Sequence, residues 1–487
     1  MSRHGADARP ATQAATPVQI MLALVLLMMA ATTGGQEPEP APVATASHPE
    51  AYAPDEDDAP QTETATIENE PKTAELTDKE VALANQSFSE KWRTFRQASQ
   101  GLLVWDLFDG RVTIRSHARV KVDGTAARGN DTFEAFYGEL GESLDFRELS
   151  LWAQGTIDHK MRYSLSFDFG ADRGLGDAFV EGREEGLSVF GYRIGQFRLG
   201  FFQEPFSFER VMSSHYIGFH ERSLPVGTFS PGYNVGYMLY DTALNERMQW
   251  AVGFFSFGQT NEANASGSVL SVTARVSGLP VFKNDGRTLF HVGASFSTRE
   301  PRGGTVQYRS RPEARFVDFL IDTGDIDAGR IELFGVESAA VLGSLHVQAE
   351  LMLSHLSQTA FGDLALWGGY LEAGWFLTGE HHSYDRELGV FSRMQPKADY
   401  RGGVRSLFSG NRGGAFELVG RVSTVDLNDG ALHGGRMTNV TVGFNWHLSP
   451  TSIIKLDGIS SSVEDRGRAS IFLLRYQYRP MPIPGWR

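Results

Sequence analysis

No cysteine occurs in the 487 residues, which excludes a disulfide framework, a thiolate metal site and a cysteine nucleophile. A chain without thiols also crosses an oxidising periplasm without forming wrong pairs. Lysine is scarce. Beyond residue 100 only Lys121, Lys160, Lys283, Lys397 and Lys455 occur, so arginine carries nearly all the positive charge there. No apolar run reaches the about 20 residues that a membrane-crossing helix needs. The 41% of apolar residues and the mean hydropathy of −0.25 argue against a helical membrane protein. No Gly-x-Ser-x-Gly elbow is present, and no serine and histidine fall at a spacing that a third group would support, so hydrolase chemistry has no footing.

What the chain does have is alternation. In Met161–Phe169 (MRYSLSFDF) every second residue is apolar, with Arg162, Ser164, Ser166 and Asp168 between them. Successive strand side chains point to opposite faces, so one face is apolar and the other polar. Val440, Val442, Phe444, Trp446 and Leu448 repeat the pattern, as do Val347, Ala349, Leu351 and Leu353. Phe472, Leu474, Tyr476 and Tyr478 do so too, although Ile471 and Leu473 blur the polar side. Many strands of roughly ten residues, each two-faced in this way, predict an all-β transmembrane antiparallel barrel of about sixteen strands, with lipid outside and water within.

Composition divides the rest. Residues 1–35 read as a signal peptide: Arg3 and Arg9, an apolar core over Val18–Ala31, then Thr32, Thr33, Gly34 and Gly35 at the expected cleavage region. Without a lipobox cysteine no lipid anchor follows. Residues 36–76 form an acidic, proline-rich linker with too little apolar surface to fold. The interval 37–80 holds thirteen acidic side chains and two lysines, so most of the net charge of −14 belongs to this linker. Thr77 and Glu80 form a capping box that opens a short helical segment over 77–108. The barrel is expected over 109–478, with a C-terminal extension at 479–487 where three prolines forbid a strand. Seventeen strand segments are predicted: 111–122, 144–155, 159–169, 177–181, 187–197, 233–241, 247–257, 267–278, 288–298, 313–321, 329–341, 344–355, 364–378, 414–425, 437–448, 451–459 and 468–478. Bacterial barrels are usually even-numbered, so one is surplus, and 177–181 and 451–459 are the weakest. Tight connections alternate with long ones such as 379–413, which is read as an external loop.

The last third carries a family resemblance. Tyr370–Glu380 (YLEAGWFLTGE) and Gly414–Ser423 (GAFELVGRVS) resemble two motifs of the phosphate-selective porins O and P. Asp426-Leu427-Asn428, Gly434-Gly435 and Val442–Trp446 (VGFNW) follow in the family's order. Upstream, Gly195–Arg198 (GQFR) with Glu204–Ser207 (EPFS), then Glu221-Arg222-Ser223 and Gly236, are similar to its other conserved stretches. The resemblance spans about 110–478. It implies an outer-membrane homotrimer of passive diffusion channels for small hydrophilic solutes, anions such as phosphate among them. It also implies a loop near 200–231 that folds inward to narrow the pore. The chain departs from the family where a doubled arginine is usual: Phe146-Arg147-Glu148 keeps one and adds a glutamate.

Candidate pathway residues follow from strand faces and from the resemblance. Arg111, Arg115, Arg119 and Lys121 share one face of the first strand, a basic ladder if that face is the lumen. Arg147 and Arg162 fall on polar faces. Arg198 occupies the family's basic constriction position, and Arg210 lies on the inward loop with Arg222, which is expected to brace it. Glu417 and Arg421 read as wall charges paired across strands. Trp152, Trp250, Trp367, Trp375 and Trp446 read as interface girdle rather than nucleic-acid stacking platforms. Adjacent His381 and His382 diverge on an extended backbone with no third ligand spaced to help, so no metal or other cofactor is expected. Two further readings stay open: a general or cation-preferring porin, and a barrel that anchors the N-terminal linker to an envelope partner.

Overall fold

The computed structural model describes residues 103–479 apart from 109–110, 172–173, 190–191, 259–267, 358–361, 401 and 403–412. The expected signal peptide, the linker, the helical segment up to residue 102 and the extension from residue 480 lie outside the described residues.

Seventeen strands form one antiparallel sheet. They are β1 Leu103–Leu107, β2 Val112–Gly129, β3 Glu142–Ile157, β4 Met161–Asp168, β5 Gly174–Val189, β6 Tyr192–Gln203, β7 Tyr233–Ala243, β8 Met248–Gly258 and β9 Ser268–Lys283. β10 Thr288–Pro301, β11 Arg330–Leu342, β12 Leu345–Ser357, β13 Leu364–Phe376, β14 Ala415–Asp429, β15 Leu432–Ser449, β16 Ser452–Val463 and β17 Gly467–Tyr478 complete it. Each strand from β2 to β17 pairs with the next, and β17 returns to β2 with Tyr478 opposite Val120 and Ala469 opposite Gly129. The barrel is therefore closed by sixteen strands, which leaves only the first part of β2 without a partner from β17. β1 is an addition. β17 stops at Val120 of β2, and Leu103–Leu107 covers the edge that remains, Leu103 opposite Ser116 and Leu107 opposite Val112. These five residues were expected at the end of a helix; an open ladder of backbone groups beside them makes a strand the better partner.

The alternation sorts as expected. Leu165, Phe167, Leu371, Val442 and Phe472 point outward and are exposed, Phe472 by 66%. Arg162, Ser164, Ser166, Glu372 and Arg421 point inward and are buried. A soluble protein does the reverse; an exterior that meets lipid requires this arrangement.

Two strand expectations need correction, and neither is one of the two weakest. The interval 187–197 takes in the end of β5 and the start of β6 and so is not one strand. The interval 313–321 is not a wall strand: it lies in the connection between β10 and β11, with only two-residue bridges near it. Its buried residues Ala314, Val317 and Leu320 recur every third position, a period that suits a turning chain rather than a pleat. They join a core inside the barrel built from helix α3 (Leu224–Phe229; α1 is Asp131–Tyr137 and α2 Phe208–Val211), Tyr308 and inward-facing Leu356, Leu366, Val425, Leu427 and Met437. Ile471 and Leu473 belong to the same core and are buried. Their apolar character, anomalous for a wet lumen, is explained by this plug.

Following the strands up and down places tight turns at 158–160, 244–247, 284–287, 343–344 and 450–451 at one end of the barrel. The long connections 130–141, 204–232 and 302–329 lie at the other. Connection 377–414 leaves β13 at the tight-turn end, so it is not an external loop of the long-loop side as its length implied. Arg393 and its neighbours from this connection line the interior.

Candidate functional site

The expected inward loop runs between β6 and β7, over residues 204–232, and enters the lumen. Wall side chains hold its backbone. Lys455 Nζ donates to the carbonyls of Ile217 (2.5 Å) and Phe219 (3.2 Å), Asn445 to Gly218 (2.8 Å), Gln477 to His215 (2.9 Å) and Arg475 to His220 (2.6 Å). In return Glu350 accepts the backbone N–H groups of Phe208 and Glu209 at 3.0 and 2.8 Å, filling two of the orphan donors at the start of α2. Gly443 is needed here: a Cβ would collide with Asp457 and crowd Phe219 of the loop.

Charged groups complete the fastening. Arg421 reaches Glu313 at 2.8 Å, Glu209 at 3.3 Å and Glu372 at 3.6 Å, so one guanidinium ties together the wall, the inward loop and the 302–329 connection. Glu221 lies 2.6 Å from Arg147 and 3.1 Å from Arg475. Burial pushes the Glu221 carboxyl up, but Arg147 and Arg475 outweigh it and hold the group below its ordinary range. Arg222 donates to the carbonyls of Glu209, Arg210 and Met212, bracing the loop against itself rather than against a wall carboxylate.

Packed this way against β11–β17, the loop leaves a cavity of about 1450 Å³ bounded by β2–β9, by the loop and by parts of 302–329 and 383–395. Twelve arginines and lysines line it against eight aspartates and glutamates, so its formal balance is positive. One concentration lies around Tyr216. Arg479 stands 4.5 Å and Arg393 5.8 Å from its ring centre. Arg119 lies 3.5 Å over the indole of Trp152, and His117 stacks on the same indole. Burial raises the Tyr216 phenol, yet Arg479 and Arg393 prevail and bring it below its usual value. The Nε of Arg119 has no hydrogen-bond partner among the described residues.

The predicted residues separate. Arg119, Lys121, Arg147, Arg198 and Arg210 line the cavity, whereas Arg111, Arg115 and Arg162 do not. Arg111 shares a strand face with Arg119 but sits at the barrel end, 69% exposed and 2.6 Å from Asp158; Arg115 is half-buried between them. Arg162 is buried against Glu181 at 2.6 Å. Arg198 shares that carboxylate at 2.7 Å and covers the ring of Phe179 at 4.3 Å. Lys121 pairs with Glu148 at 2.9 Å and donates to Ser214. Trp152 faces the lumen rather than the membrane interface. Arg393, Arg479 and Tyr216 were missed. They lie on connections, where no face periodicity marks the lumen, and Arg479 read as extension although its N–H still bonds Thr451 of the last tight turn.

The sequence profile of the phosphate-selective porins O and P matches residues 120–479, nearly the whole barrel. The chain belongs to that family. It is a porin of the bacterial outer membrane. A protein of Caulobacter vibrioides described only as uncharacterized is 26% identical over 321 residues, which cover 63% of this chain and 60% of that protein's length. Among solved structures, an anion-selective porin from Comamonas acidovorans aligns at 9% identity over 75% of this chain and 99% of its own, with a TM-score of 0.46. OmpT of Vibrio cholerae aligns at 11% identity over 76% and 98%, also with a TM-score of 0.46. Within this porin, Arg119, Arg393 and Arg479 stand on the lining of the cavity beside Trp152 and Tyr216.

Proposed function

We propose that this porin passes small hydrophilic anions, phosphate among them, by diffusion down their gradient, with Arg119, Arg393 and Arg479 setting the field at the narrowing. One observation carries the reading. Three guanidinium groups gather around two aromatic platforms, while the nearby carboxylates of Glu148 and Glu221 are held by other cations. Glu148 is paired with Lys121 and lies 3.1 Å from His215; Glu221 is paired with Arg147 and Arg475. Guanidinium offers phosphate a planar fork of donors in place of water. Sites of this kind attract an ion strongly enough to admit it and weakly enough to release it. Assembly as a homotrimer belongs to the same reading, from the family resemblance.

The test is the reversal potential of single channels in a planar bilayer under a KCl gradient, followed by added phosphate. Chloride preference with block by phosphate supports the proposal. Potassium preference without block would overturn it and leave a general or cation-preferring porin.

A further inference from the structure

We propose that His346, His382, His447 and Glu417 form a binding site for a divalent transition-metal ion of the zinc class, which staples connection 377–414 to the barrel wall. The four side chains come from four segments: β12, the connection, β15 and β14. Their nitrogens converge on one carboxylate. His346 Nε2 lies 2.8 Å and His382 Nε2 3.6 Å from Glu417 Oε1, and His447 Nε2 lies 3.1 Å from Oε2. The ligating atoms of His346, His382 and Glu417 all fall within 4.8 Å of one another. A tetrahedral zinc site with bonds of about 2.0–2.1 Å has donor-to-donor edges of roughly 3.3 Å, and two histidines with one carboxylate are an ordinary protein ligand set for it, with His447, now on the second carboxylate oxygen, near enough to turn into the fourth position.

The surroundings fit a built site. All four side chains are buried. Asn445 holds Glu417 Oε2 at 2.9 Å, the kind of outer contact that fixes a ligating carboxylate. The buried rings of Phe376 and Phe391 flank the imidazoles, Phe391 stacked on His382 at 4.9 Å. A Cβ at Gly374, directly across from His346, would collide with that imidazole, so the glycine makes the space in which His346 turns toward Glu417. Neither Nδ1 of His346 nor Nδ1 of His382 has a hydrogen-bond partner among the described residues. In the metal-free arrangement Nε2 of His346 donates to Glu417, and a bound ion would take the place of that proton, moving it to the unpartnered Nδ1. The pair His381-His382 looked barren in sequence because its further ligands come from neighbouring strands.

The experiment uses the full chain in detergent, stripped with chelator, and titrates zinc against a chromophoric competitor. One tight equivalent per chain is expected. His382→Ala and, separately, His346→Gln should weaken it at least about tenfold, while His381→Ala keeps it. Heat-modifiable migration in gels verifies that each variant remains a folded barrel. Bound zinc should also slow proteolysis within 377–414 in the wild type and not in His382→Ala. No tight equivalent in the wild type, or one that survives both His382→Ala and His346→Gln, would overturn the proposal.

Discussion

Replacing Arg421 with methionine should release the inward loop while leaving the barrel closed. The guanidinium is 1% exposed and is shared by Glu313, Glu209 and Glu372; it also donates to the Glu221 carbonyl and lies 4.4 Å from the centre of the Phe219 ring. Methionine fills much of its volume but leaves three buried carboxylates facing one another. Removing one partner of a buried ion pair costs about 3–5 kcal/mol, or roughly two to three and a half powers of ten in the docked population. The cost falls on the loop and the 302–329 connection, because the strand ladders do not depend on this side chain. Acid should reverse the defect. Burial raises the Glu209 carboxyl above its ordinary value despite Arg421, and without Arg421 it rises further. A group whose folded-state pKa is raised favours the folded arrangement below its unfolded pKa and loses that contribution as pH climbs through the folded one. The variant should therefore be noisy, of higher conductance and cleavable within 204–232 at pH 8, and approach wild type toward pH 5. Planar-bilayer recording and limited proteolysis read both effects. Unchanged conductance, noise and cleavage at pH 8 would refute the argument.

Arg119→Ala should lower chloride-over-potassium preference by up to roughly thirtyfold, since one unit charge at ~4 Å in a wet pore favours chloride by about 1 kcal/mol and disfavours potassium by as much, as read from the reversal potential; Arg111→Ala, at the barrel end, should leave it unchanged. Glu221→Gln should weaken loop docking at neutral pH. Because the folded-state pKa of Glu221 is depressed, its contribution is present above its unfolded pKa and lost as pH falls through the folded value, so the variant should flatten the acid side of the docking curve measured by proteolysis. Ile471→Asn should destabilise the inner plug by about 2–5 kcal/mol through lost apolar burial and a buried amide, whereas the outward Phe472→Leu should change thermal unfolding little.

Much of the barrel was legible because lipid imposes a period of two that no other environment imposes so widely. Met161–Phe169 and Val440–Leu448 could be read face by face. The resemblance located the inward loop. Height along a strand was not legible: Arg111, Arg115 and Arg119 share a face, yet only the last reaches the cavity, because alternation fixes direction and not depth. Nor was the meaning of Ile471 and Leu473, which depends on an apolar core supplied by residues far away in sequence. The 313–321 error has the same origin, since those apolar residues pack inward on helix α3 instead of facing lipid. Arg393 and Arg479 had no periodic signal at all.

The arrangement at Tyr216 joins elements that enter from different places. Tyr216 belongs to the loop from one end, Arg393 to the connection from the tight-turn end and Arg479 to the chain beyond β17; His117, Arg119 and Trp152 come from the wall. The arginine cluster therefore depends on the docking of both insertions, and the inward loop is fastened in part elsewhere on the wall, at Arg421, Lys455 and Asn445. Conductance and selectivity should then move in opposite directions across docking variants: a loosened loop widens the path and disperses the arginines. Arg421→Met, which should raise conductance, should also bring the reversal potential toward zero, although it removes a cation that does not line the cavity. A variant that conducts more while keeping wild-type anion preference would place selectivity on Arg119 and the wall alone.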